Sequence, residues 1–126
     1  MAETLNISSS SDFQSVAMGQ KPLLVLLHGW GLNSAVWQPL IASLPQNFTD
    51  RFNIVTVDLP GFGTNVSKVV SPYTLANICQ SISATIHRPA IYLGWSLGGL
   101  IATEMALSHP EKVLGFDHGG KLSSFS

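Results

Sequence analysis

The sequence predicts an α/β fold in which a mainly parallel sheet carries helices on both faces. Three observations predict it. Two short runs, Leu23 to Leu27 and Asn53 to Val57, are almost wholly aliphatic or β-branched, the pattern of strands buried on both faces rather than one. Segments with helical periodicity alternate with them, and strand–helix–strand alternation closes through right-handed crossovers into parallel pairing. The third is Ile91-Tyr92-Leu93-Gly94-Trp95-Ser96-Leu97-Gly98-Gly99, where an apolar strand enters Gly-x-Ser-x-Gly and leaves as a helix.

Taken in chain order, residues 2–20 hold one short candidate strand at Leu5-Asn6-Ile7, then serines and a turn at Gly19. The run from Leu23 ends in His28-Gly29-Trp30-Gly31, a central strand feeding a loop. A helix follows, capped by Asn33 or Ser34, with Val36, Trp37, Leu40, Ile41 and Leu44 on one face and Pro39 in its first turn or at a bend. The strand from Asn53 runs into the turn-rich Asp58-Leu59-Pro60-Gly61-Phe62-Gly63. Over residues 72–86, Leu75, Ile78, Cys79, Ile82 and Ile86 recur at helical spacing. A strand at residues 90–93 and a helix from Leu97 to Ser108 complete the series, closed by His109-Pro110.

Composition narrows the function classes. Of 126 residues, 45% are hydrophobic and 10% charged, and the formal charge is −1, so no basic stripe points to nucleic acid. The run from Pro22 to Leu27 is far below a membrane span, and residues 1–18 lack the basic and apolar regions of a signal peptide. A cytoplasmic protein is expected. The single Cys79 lies in a helical pattern and reads as a small core hydrophobe.

The chemistry gathers at Ser96. On a strand-to-helix elbow the backbone is tight, so glycines at Gly94 and Gly98 let strand and helix approach while the hydroxyl projects outward. The helix beginning at Leu97 brings free N–H groups and the positive end of its dipole to that hydroxyl. In an open parallel sheet, ligands bind beyond the carboxyl ends of the strands, where both Ser96 and the His28-Gly29-Trp30-Gly31 loop belong. A tetrahedral intermediate needs two converging donors; the backbone N–H groups of Leu97 and Trp30 are assigned as the oxyanion hole. His28 is expected to brace its loop by hydrogen bonding rather than act as a base, and Asp58 is given a similar role.

Residues 26–110 resemble the α/β-hydrolases. The resemblance rests on Leu26-Leu27-His28-Gly29-Trp30-Gly31-Leu32-Asn33 with Trp37, on Val57-Asp58-Leu59-Pro60-Gly61-Phe62-Gly63, on Leu93-Gly94-Trp95-Ser96-Leu97-Gly98-Gly99-Leu100, and on residues 106–113. Within that superfamily the chain is most similar to the carboxylesterases that act on the pimeloyl methyl ester of acyl carrier protein in biotin synthesis. The resemblance implies Ser96 as nucleophile, Trp30 and Leu97 as oxyanion and substrate contacts, acyl carrier protein as partner, and chemistry without metal or organic cofactor. Two other readings fit the same residues: another hydrolase acting on a different ester, a thioester or a carbon–carbon bond, or a non-catalytic remnant.

In this fold the nucleophile is followed by an acid and then a histidine on later strands. After Ser96 the chain offers Glu104, Glu111, Asp117, His109 and His118. None is expected to complete a triad, because Glu104 and His109 lie on a helix leading away and Asp117 and His118 are adjacent. The expectation is a truncated hydrolase, weakly active or inactive by itself: residues 1–115 form the N-terminal half of the core, and residues 116–126 form an out-of-frame or disordered tail. Family members continue after Gly115 with an apolar strand reading approximately Leu-Ile-Thr-Val-Ala-Ser-Ser-Pro. A codon series encoding residues 116–125 yields that strand after deletion of one thymine. The strand at Ile91 would then lose its neighbour.

Overall fold

The structure is a computed structural model that describes residues 4–9, 21–117 and 122–124. Its strands, β1 (Ile7–Ser9), β2 (Leu23–Leu27), β3 (Asn53–Val57), β4 (Ala90–Gly94), β5 (Val113–Asp117) and β6 (Leu122–Ser124), form one sheet in the order β1-β3-β2-β4-β5-β6. The inner strands β3, β2, β4 and β5 run parallel, and β1 and β6 close the two edges antiparallel. The expected turn at Gly19 and His118 lie outside the described residues.

The uninterrupted apolar run of β2 follows from its position at the centre. Leu23, Val25 and Leu27 join Val55, Val57 and Tyr92 against Ile78, Cys79 and Ile82 of α3 (Leu75–Thr85) and Ile101, Ala102 and Met105 of α4 (Leu97–Ser108). Leu24 and Leu26 face the other way with Ile54, against Trp37 and the partly buried Ile41, Leu44, Phe48 and Phe52. Each such side chain withdrawn from water contributes about 2 kcal/mol, so polar alternation in β2 would forfeit one of the two cores.

The helix expected over residues 33–44 divides. Asn33 accepts a hydrogen bond from the Ala35 N–H at 2.9 Å, but the turn it caps, Ser34–Trp37, is 3-10. Helix α1 (Gln38–Ser43) follows with Pro39 in its first turn, and a further short helix, α2 (Gln46–Thr49), precedes β3. The tighter winding of the first turn rotates the expected apolar face out of line. Trp37 is therefore buried while Val36 and Leu40 are exposed, which corrects the expectation that all five apolar residues share one face. Helix α3 begins at Leu75 rather than Pro72, because Thr74 caps it by accepting from the Asn77 N–H at 3.2 Å. Its Ile78, Cys79 and Ile82 are buried as the spacing predicts.

The boundary expected between residues 115 and 116 falls inside β5. Past a register shift at Ala90/Ile91, β5 pairs Gly115 with Ile91, Phe116 with Tyr92 and Asp117 with Leu93. Ladder pairing uses backbone groups, which residues 116 and 117 possess like any others, and Phe116 packs against the α3/α4 core beside Tyr92. The expectation that β4 lacks a neighbour is corrected: β4 lies between β2 and β5.

Candidate active site

The sheet register brings the two glycine-rich loops to one rim. Strands β2 and β4 are parallel, with Leu27 opposite Gly94, so the chain leaves both strands at the same end. The Trp95 N–H donates to the Leu27 carbonyl at 3.0 Å and ties the two exits together. Ser96 follows with φ 58° and ψ −116°, the sole non-glycine residue with positive φ among those described. Such a conformation costs about 1–3 kcal/mol and persists only where its surroundings enforce it.

Those surroundings are two glycines with no room for a side chain. A Cβ on Gly94 would lie 2.0 Å from the Gly98 carbonyl oxygen, and one on Gly98 would lie 2.1 Å from the Leu27 carbonyl oxygen. The first turn of α4 is thereby seated directly on the ends of β4 and β2. Ser96 is exposed at the top of this junction. As the first residue of α4, Leu97 has no carbonyl one turn back within the helix to receive its N–H.

The His28-Gly29-Trp30-Gly31 loop lies against the elbow. A Cβ placed on Gly29 would be 3.2 Å from the Ser96 Cβ and 3.3 Å from the Trp95 carbonyl oxygen, so the backbone entering Trp30 passes beside the serine. The Trp30 ring is 65% exposed and stands edge-on to Phe62, with centroids 5.0 Å apart, and to Tyr73 at 5.8 Å. Tyr73 is held by donating from its hydroxyl to the Pro60 carbonyl at 3.0 Å. Along the first turns of α4, an open groove of about 370 Å³ is lined by Ser96, Gly99, Leu100 and Thr103. Phe62 and Tyr73 were not singled out from the sequence. Each is a lone aromatic in a turn-rich loop, and only the fold brings them to Trp30.

The ionisable groups near the loop are committed to holding it. His28 is fully buried; its Nε2 accepts from the Leu59 N–H at 2.8 Å and its Nδ1 lies 2.7 Å from the Gly29 carbonyl oxygen. Neither nitrogen is open to a serine proton, as the bracing expectation requires. The Asp58 carboxylate accepts from the N–H groups of Ser34 at 2.6 Å and Thr64 at 2.9 Å and from the Thr64 hydroxyl at 2.8 Å. Burial alone would raise its pKa, but these bonds outweigh burial and hold it below the ordinary value of 3.8. Glu104 and His109 lie eight and thirteen residues beyond Ser96, roughly 12 and 19 Å along the helix axis at 1.5 Å per residue. His87 precedes β4, at the opposite rim of the sheet. Among the described residues, no group of three or more His, Cys, Asp or Glu could hold a metal ion, and no helix is long and apolar enough to cross a membrane.

A family model described as the alpha/beta hydrolase fold matches residues 22–120. The pimeloyl-[acyl-carrier protein] methyl ester esterase of Pseudoalteromonas atlantica is 44% identical over 96 residues, covering 76% of this chain and 36% of that protein. The protein of the same name from Edwardsiella ictaluri is 47% identical over 92 residues, covering 73% and 33%. The chain thus spans about a third of the length of these relatives. Among solved structures, an alpha/beta superfamily hydrolase from Oenococcus oeni superposes with a TM-score of 0.69 at 25% identity, over 94% of this chain and 43% of that one.

Proposed function

The chain belongs to the α/β-hydrolase family, and we propose that it carries the nucleophile and oxyanion half of a serine carboxylesterase. The observation that supports this most directly is the contact of Gly29 with Ser96: one loop and one elbow, 67 residues apart in sequence, meet where an ester carbonyl would sit. In this reading the Ser96 Oγ attacks the carbonyl carbon while a histidine takes the hydroxyl proton. The carbonyl oxygen, now negative, is held by the N–H groups of Trp30 and Leu97. Collapse of the intermediate expels the alcohol with that proton and leaves an acyl-serine. Water then adds to the acyl carbon, and the acid leaves as the Ser96 hydroxyl is restored. We propose that the base and its orienting acid lie outside the described residues; the engagement of both nitrogens of His28 and both oxygens of Asp58 supports this.

The substrate proposed is the methyl ester of pimeloyl-acyl carrier protein, with acyl carrier protein as the macromolecular partner and the cytoplasm as the location. The names of the relatives support this. The exposed rings of Trp30 and Tyr73, backed by the partly buried Phe62, suit an aliphatic acyl chain.

Reaction with a fluorophosphonate probe tests the chemistry. Labelling of Ser96 needs an activating base, so an adduct that Ser96→Ala abolishes in mass spectrometry would support an enzyme; a folded but unlabelled protein would favour the non-catalytic alternative. Complementation of a biotin-requiring strain that lacks this esterase tests the substrate. Labelling without growth would move the assignment to another ester.

A further inference from the structure

We infer that His28 is a positioning residue whose Nδ1 proton sets the direction of the Trp30 N–H. The two groups share one peptide unit. Gly29 C=O and Trp30 N–H lie in a single plane and point in opposite directions, so any bond that fixes the carbonyl fixes the amide hydrogen as well. The Gly29 oxygen is held twice, by His28 Nδ1 at 2.7 Å and by the Leu32 N–H at 3.2 Å. The Leu32 bond belongs to the local turn and moves with it. His28 anchors the carbonyl to something outside the turn, because its ring is buried, stands edge-on to Phe62 at 5.8 Å, and is fixed at the far side by the Leu59 N–H on Nε2.

These bonds also settle the tautomer. Nε2 receives an N–H and so carries no hydrogen, and a carbonyl oxygen 2.7 Å from Nδ1 requires the proton there. The imidazole is thus a rigid relay from the Leu59 backbone, at the end of β3, to the peptide plane beside Ser96. Gly29 has no side chain to stabilise that plane, so without the relay only the turn's own bond from the Leu32 N–H would hold it. The orientation is independent of catalysis; its consequence for an oxyanion rests on the role proposed above for Trp30.

The test is nuclear magnetic resonance on the ¹⁵N-labelled chain. Long-range ¹H–¹⁵N correlations of the unmodified protein should show His28 protonated at Nδ1 and bare at Nε2; the opposite tautomer or a doubly protonated ring would overturn the inference without any variant. Two substitutions then separate the two bonds. In His28→Asn the amide nitrogen takes the place of Nδ1 and still donates to Gly29. In His28→Gln the amide oxygen takes the place of Nε2 and still accepts from Leu59, while the donor to Gly29 is lost. Residual dipolar couplings in a weakly aligning medium report the N–H direction. The Trp30 coupling should stay within the scatter of the β4 couplings in His28→Asn and leave it in His28→Gln, with Leu97 unmoved in both. Equal changes in both variants, or none in His28→Gln, would refute the relay. Fluorophosphonate labelling of Ser96 should slow on the order of 10–100-fold in His28→Gln alone. Reoriented Trp30 with undiminished labelling would leave the relay standing and defeat the oxyanion role.

Discussion

Substituting Gly98 by alanine sets two opposing effects against each other, and their magnitudes decide the outcome. Gly98 lies in the first turn of α4, where alanine is favoured over glycine by about 1 kcal/mol on helix propensity. Yet its Cβ would stand 2.1 Å from the Leu27 carbonyl oxygen and 2.8 Å from that of His28, where ordinary contact begins near 3.4 Å. The deficit of about 1.3 Å cannot be relieved by rotating a side chain, because both obstacles are backbone. The Leu27 oxygen also receives the Trp95 N–H, so moving β2 away breaks the bond that ties the elbow to the sheet. Overpacking of this kind costs about 3 kcal/mol, near the upper end of its usual range. The net loss is about 2 kcal/mol, which for a chain of this size is roughly 8 °C in melting temperature. Thermal denaturation followed by circular dichroism measures it, and the fluorophosphonate rate at Ser96 should fall with it, since α4 must lift from the strand ends. A Gly98→Ala protein that melts at or above the parent would show that propensity outweighs the clash and that the helix is not seated as described.

Two further outcomes follow from buried groups. Because the Asp58 carboxyl is held below the ordinary value of 3.8 in the folded chain, its contribution to stability is full above that value and is lost as pH falls through the depressed one. Asp58→Asn should lower the melting temperature at pH 7 and show a shallower fall than the parent as pH drops below the ordinary carboxyl value of 3.8; parallel acid limbs would contradict the role. The Cys79 thiol is buried, donates to the Ile101 carbonyl, and is pushed up to about 12 first by burial and then by Glu104. Ellman's reagent at pH 8 should leave it untouched in the native protein and titrate it fully in urea, and rapid native reaction would refute its core placement.

The core was legible in the sequence where one physical cause dominated. Aliphatic and β-branched runs predict β2 and β3 because both are buried on both faces, Asn53 and Thr56 of β3 included, and the spacing from Ile78 to Ile82 predicts the inner face of α3. The errors arose where local geometry changes within a few residues. From Ser34 to Ser43 the chain winds first as a 3-10 turn and then as α-helix, a switch that hydrophobic spacing does not encode, and so Val36 and Leu40 are exposed. At β5, the tail expected from residue 116 begins inside the strand. Pairing with β4 depends on backbone groups that composition does not report, and Val113 and Phe116 hold the strand to the core.

At the site, the residues that must be glycine were more informative than those that do chemistry. Gly94 and Gly98 mark backbone crossings closer than a side chain permits, helix on β4 and helix on β2, and at Gly29 a side chain would press the elbow by a few tenths of an ångström. Together they fix Ser96 in a backbone conformation that serine rarely adopts and lay the Trp30 peptide beside it. The aromatic companions of Trp30 follow no such rule. Phe62 and Tyr73 reach it from two points of the connection between β3 and α3, and what brings them there is the hydrogen bonding of Asp58, Asn65 and Tyr73 to loop backbone, spread over residues that carry no motif. A site built on close backbone approach can be read from glycine spacing, whereas a pocket wall assembled from single side chains on different loops becomes visible only in three dimensions.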